Sequence, residues 1–123
     1  MTQRLLPLLP ALALAALFTV AGTSLAQAQA IKIANIVELS GAGASAGTNF
    51  KNGVELAVKE INAAGGILGK KIESTTLDTQ SNPGVAKGLT QKAVDDNVFA
   101  VFGPVFSGSI MVSMAETQRA EVP

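Results

Sequence analysis

Cysteine, histidine, tyrosine and tryptophan are all absent from this 123-residue chain, and its aromatic content is five phenylalanines. Without cysteine there is no disulfide framework, no thiolate metal site and no thiol for lipid attachment. Without histidine the most versatile general base is missing, and a serine with no base beside it is a weak nucleophile. Net charge is also lacking: nine basic side chains cancel nine acidic ones, so no electrostatic footprint for a nucleic acid exists. The acids of Asp95-Asp96-Asn97 do not have the spacing of a calcium loop and are read as a solvated helix end. No metal, no cofactor and no enzymatic activity are expected of these residues.

What is present begins with a leader. Arg4 is followed by an uncharged apolar run, Leu5 to Ala21, and then by the small and polar Gly22, Thr23 and Ser24, the order of a secretory signal. An apolar stretch of about 20 residues is long enough to span a bilayer. Here Pro7 and Pro10 interrupt it, and Ser24-x-Ala26, Ala26-x-Ala28 and Ala28-x-Ala30 offer small-residue cleavage sites directly after it. The cut falls before Gln27, Gln29 or Ile31, with Gln27 expected. Residues 1–26 are thus a removable signal, residues 27–123 the exported part, and no stable membrane anchor remains after cleavage. A periplasmic location follows. At the other end, Glu121-Val122-Pro123 closes a helix in the manner that leads into a new strand, so the chain is expected to be truncated within a larger lobe.

The exported part alternates strands with helices. Ile31 to Val37 is a short β-branched run suited to a strand buried on both faces. A small-residue loop over 39–47 follows, then a helix marked by Phe50, Val54, Ala57, Val58 and Ile61 and ended by Gly65-Gly66. A second strand runs from Ile72 to Leu77 and closes at Asp78. Asn82-Pro83 opens a second helix, since Asn caps free amides and Pro suits the first helical position; Val85, Leu89 and Ala93 form its stripe. Val98 to Phe102 predicts a third strand, 103–109 a tight loop, and Ile110 to Ala120 a third helix. The β-α-β-α-β-α order implies a parallel sheet with right-handed crossovers, a doubly wound α/β lobe.

In such a lobe ligands bind beyond the carboxyl ends of the strands, which singles out the loops 39–47 and 103–109. Gly41-x-Gly43-x-x-Ala46 fits a dinucleotide fingerprint between strand and helix, but the ribose-binding acid is expected about 20 residues on, whereas the nearest strand-end acid, Asp78, is about 30 away. The loop is better read as a tight turn beside a cleft. In the second loop, Ser107 and Ser109 sit at or just before a helix start, where free amides and the helix dipole favour a carboxylate; a serine there equally suits the role of that helix's cap. Asp78, isolated at a strand end, is read as a turn former.

Taken in order, Ile31-Lys-Ile, Leu39-Ser-Gly41, Gly47, the block Glu60-Ile-Asn-Ala-Ala-Gly-Gly66-Ile-Leu-Gly-Lys-Lys-Ile72, Asp78, Pro83, Val101-Phe-Gly-Pro104 and Ser107-Gly108-Ser109 form a long set in register. The set resembles the leucine/isoleucine/valine-binding family of type I periplasmic binding proteins, over residues 31–123. The resemblance implies two α/β lobes joined by a hinge, of which this chain supplies part of the first. It also implies closure on an amino acid or amide and delivery to an inner-membrane ABC permease. By position, Ser107 matches the hydroxyl that grips the ligand carboxylate, Val105 and Phe106 line the pocket, and Gly108 and Ser109 complete the loop. Ala46 stands where relatives often place an aromatic ring, so the ligand is left open. The family's second acid after Asp78 is Thr79 here, and Phe106 occupies one position of its cysteine pair. A sensing module of the same fold, or a secreted α/β enzyme around Ser107, are the competing readings.

The mature amino terminus is expected at Gln27. Mass spectrometry of the exported protein checks it, and an uncleaved, membrane-retained product would refute the periplasmic assignment.

Overall fold

The computed structural model describes residues 29–123; the leader and the Gln27 cleavage site lie outside them. Strand β1 (Ile31–Val37) leads through a single 3-10 turn, Gly41–Gly43, into helix α1 (Ala44–Ala63). Then come β2 (Ile72–Asp78), α2 (Pro83–Asp95), β3 (Ala100–Phe102) and α3 (Ser107–Ala120). The three strands form one parallel sheet in the order β2-β1-β3. Ile31 pairs with Ile72 and Val37 with Asp78 on one side of β1, while Ile33 to Asn35 pair with Ala100 to Phe102 on the other. The doubly wound parallel lobe expected from the alternation is therefore present.

Being central, β1 is covered on both faces, and every residue from Ile33 to Glu38 is buried. Ala34 and Ile36 point to the α2 side, where Ala93, Leu77, Leu89, Val98 and Val101 complete a small core. Ile31 and Ile33 point the other way, towards Phe50, Val54 and Val58 of α1. Helix α3 packs on α2 through small and polar residues rather than aliphatic ones: Ala86, Thr90 and Ala93 face Ser109, Ser113 and Glu116. The Thr90 and Ser113 hydroxyls lie 2.8 Å apart, and Lys87 and Arg119 neutralise the buried Glu116 carboxylate at 3.6 and 2.8 Å. Of the stripe expected on α2, Ala93 is buried while Val85 and Leu89 are only half-buried, because the partner helix presents side chains small enough to admit Ala86 and Thr90 more closely.

Local chemistry accounts for most boundaries. Asn82 Oδ1 accepts the amides of Gly84 and Val85 at 2.7 and 3.2 Å with Pro83 at the first helical position, the start expected from sequence. Helix α1 stops as Gly66 N donates to Ile61 O and Gly65 N to Asn62 O, the paired bonds of a glycine-terminated helix. The Asn62 side chain then pairs in both directions with the backbone of Ile72, at 2.7 and 2.8 Å. That contact launches β2 and gives the Asn of the 60–72 block a physical role.

Three expectations need correction. Helix α1 begins at Ala44, inside the stretch expected to be loop, because its first turn is secured from elsewhere: Gly43 N donates to Ser81 Oγ. Strand β3 is shorter than 98–102, since Val98 N still closes the end of α2 on Ala93 O; Phe99, 68% exposed, donates its amide to Lys32 O of β1 at 2.7 Å just ahead of the strand. Helix α3 starts at Ser107 rather than Ile110, with Phe106 at its cap position and no side-chain cap, so neither Ser107 nor Ser109 caps it.

Beyond β3, Val101 N donates to Pro123 O at 2.8 Å, which lays the backbone after α3 along the outer edge of that strand. On the α1 side an apolar trough of about 640 Å³ runs between α1, β1 and β3, lined by Phe50, Val54, Val58, Phe99 and Phe102 among others. Among the described residues seven apolar ones are buried, three of them alanines, against ten large apolar side chains left exposed. That balance falls short of what a stable small domain buries. Residues 27–123 expressed alone are accordingly expected to aggregate or to behave as a dye-binding, loosely packed state. A cooperative calorimetric transition of a monomer would refute this.

Candidate functional site

In strand order β2-β1-β3 the chain leaves β1 towards one side and later returns to pair on the other. Such a reversal opens a crevice at the carboxyl ends of the strands, here bounded by residues 38–46, 78–82 and 103–109. Two acids organise it.

Asp78, the last residue of β2, accepts the amides of Leu39, Ser40 and Gln80 on Oδ1 at 2.8, 3.2 and 2.8 Å, while Ser40 Oγ donates to Oδ2 at 2.7 Å. The Ser40 hydroxyl is the largest influence holding this carboxyl below its ordinary value; partial desolvation opposes it, and the three amides add to it. Ser81 closes the same seam by donating to Ser40 O at 2.7 Å and accepting from Gly43 N at 2.9 Å. The turn-forming role expected of Asp78 is correct, and the turn it stabilises includes the loop after β1 as well as its own.

Glu38 is the second acid, and sequence reasoning passed over it. It is 0% exposed and follows β1 directly. Its Oε2 accepts Val105 N at 3.0 Å and its Oε1 accepts Phe106 N at 3.3 Å. The available signal was a lone glutamate continuing a buried apolar strand, where a carboxylate is tolerated only if hydrogen-bonded.

The residues singled out from sequence fall on the two rims. Ala46 is exposed on the first turn of α1. Val105 is half-buried beside Glu38, and Phe106 is 37% exposed, with its ring tip against Gly43. Ser107 and Gly108 are exposed on the first turn of α3. Ser109 is buried on the face that meets α2, so its backbone amide rather than its hydroxyl faces the cleft end of the helix. The first intrahelical bond of α3 runs from Ile110 N to Phe106 O, so the amides of Ser107, Gly108 and Ser109 have no acceptor within the helix. With the helix dipole behind them they suit an anionic group.

The sequence profile of the periplasmic binding protein family matches residues 30–123. This chain belongs to that family. It is 41% identical over 78 residues to the Leu/Ile/Val-binding protein BraC3 of Rhizobium johnstonii, covering 63% of this chain and 21% of the relative. It is 35% identical over 96 residues to the Leu/Ile/Val-binding protein of Escherichia coli K12, covering 78% and 26%. Among solved structures, the branched-chain amino acid transporter substrate binding protein LivJ of Streptococcus pneumoniae, crystallised with isoleucine, superposes with a TM-score of 0.75 at 43% identity. That superposition covers 76% of this chain and 27% of that one. The chain thus spans about a quarter of the length of the relatives it matches, and the family accounts for its partial α/β lobe.

The Asp78 seam carries a pH signature. A carboxyl held below its ordinary value stabilises the fold above the unfolded value of 3.8, and that contribution disappears as pH falls through the lower folded value. In the full-length protein Asp78→Asn is expected to lower Tm at pH 7 and to flatten the loss of Tm on acidification below about pH 4. Thermal melts across that range check it; parallel wild-type and variant curves would remove the role.

Proposed function

We propose that the complete protein is the periplasmic solute-binding receptor of an ABC importer, taking a neutral amino acid of the branched-chain type or a related amide. The observation that carries the reading is the start of α3: the amides of Ser107, Gly108 and Ser109 have no acceptor among the described residues and stand at the carboxyl-end rim of the parallel sheet, in a chain whose relatives are named for leucine, isoleucine and valine binding. Ser107 adds a hydroxyl at that rim which is not consumed in capping. Val105 and Phe106 supply the apolar wall, Gly108 and Ser109 the remaining amides, and Ala46 leaves room where relatives of the resemblance carry a ring.

Recognition in this reading is a binding event without bond making. A ligand carboxylate settles on the amides and the Ser107 hydroxyl, a second lobe closes over it, and the closed form is what the inner-membrane permease accepts. Residues 1–26 would direct the chain to the periplasm and be removed. The chain has no histidine, cysteine or tyrosine, an inventory that suits a receptor better than an enzyme built around Ser107.

Changing Ser107 to Ala in the full-length protein should weaken L-isoleucine binding roughly 10- to 150-fold, the equivalent of losing a hydrogen bond to a charged group of about 1.5–3 kcal/mol. Because Ser107 is exposed and is not the cap, Tm should barely move. Calorimetric titration beside a thermal melt measures both. Unchanged affinity would remove Ser107 from the site, and a lowered Tm would return it to a structural role.

A further inference from the structure

We propose that Glu38 is a positioning residue of the crevice: its carboxylate occupies the two innermost amides of the α3 entrance and so directs a ligand's anionic group one step outward, onto Ser107, Gly108 and Ser109. The inference rests on the binding reading above and goes beyond it, since it names the group that sets the anion's place.

The geometry is that of a resident carboxylate. Each oxygen takes one amide, Val105 at 3.0 Å and Phe106 at 3.3 Å, from a segment 67 and 68 residues away in the chain. Among the described residues none of the four ion pairs includes Glu38, so the only positive partners of this buried group are amides at the positive end of α3. Amides bound in this way to a carboxylate form the stronger class of hydrogen bond. They are also withdrawn from any ligand.

The stem of Glu38 is held as tightly as its head. A Cβ on Gly43 would come within 2.6 Å of Glu38 Cβ and within 3.0 Å of the Phe106 ring, and a Cβ on Gly47 would reach 2.0 Å from Glu38 O. The first turn of α1, the end of β1 and the entrance of α3 therefore meet at this one side chain. An apolar residue of similar size would fill the space but leave the Val105 and Phe106 amides without acceptors, and an unsatisfied buried donor is what folded proteins avoid. An acid at position 38 satisfies both amides and holds the 103–107 loop at a set distance from β1. The next amides in the series are then the ones presented to the crevice.

Two variants of the full-length protein, Glu38→Gln and Glu38→Leu, test this by amide hydrogen exchange and by titration with L-isoleucine. Gln offers one acceptor and one donor where two acceptors are needed, and Leu offers none. The expected result is a 10-fold or greater acceleration of exchange at the Val105 and Phe106 amides relative to those of Ala34 and Ile36 in β1. L-Isoleucine affinity should fall by a similar factor, including in whichever variant keeps the wild-type Tm. Exchange at Val105 and Phe106 that changes only in step with the β1 amides would overturn the proposal, as would accelerated exchange with unaltered affinity. If the wild-type protein binds no L-isoleucine, the ligand assigned under the proposed function fails instead, and the exchange comparison alone decides whether Glu38 holds the loop.

Discussion

Parallel pairing of β1 on both edges is the constraint from which the rest of this structure follows. A strand flanked by β2 and β3 must be covered above and below, which is why its buried residues are apolar apart from Asn35 and why helices are needed on each side of the sheet. Parallel neighbours also require crossovers, and right-handed ones carry α1 to one face and α2 to the other. The same pairing brings the carboxyl ends of all three strands to one rim. The crevice is therefore a by-product of the sheet order, and no residue has to be spent on making it.

Residues are spent on holding its walls in register. Strand ends and helix starts leave backbone groups without partners, and in this lobe long-range side chains supply them. Asn62 pairs with Ile72, Asp78 and Ser81 tie the loop after β2 to the loop after β1, and Glu38 ties β1 to the entrance of α3. Each of these joins segments that a single local element cannot connect. The cluster also explains why glycine recurs around the rim: at Gly43 and Gly47 the backbone of α1 approaches Glu38 more closely than any side chain allows.

The polar economy of the rim contrasts with the apolar trough beside α1. There, Phe50, Phe99 and Phe102 remain exposed although they belong to or flank regular elements. Such a contiguous apolar surface is unusual for a monomer on its own. It lies on the opposite side of the sheet from α2 and α3, away from the entrance of α3.

Much of the fold was legible in the sequence because its signals are local. The β-branched run Ile31–Val37 coincides with β1, Asn82-Pro83 with the start of α2, and Gly65-Gly66 with the end of α1; hydrophobic period, cap chemistry and chain stiffness act over a few residues. The starts of α1 and α3 were not legible, since Gly43 and Ser107-Gly108-Ser109 are poor helix formers, and the backbone entering each helix is held from far away in the chain: Gly43 N by Ser81, 38 residues on, and Val105 N and Phe106 N by Glu38, 67 and 68 residues back. For the same reason the rim residues Ser107 and Phe106 could be named from their motif, whereas Glu38 could not. The sequence by itself determined the alternation of elements and hence the sheet, because burial pattern and turn chemistry are written residue by residue. Which amides at the α3 entrance find an acceptor among the described residues was decided only by the tertiary structure, because that depends on where a side chain from one strand end comes to rest against the backbone of another.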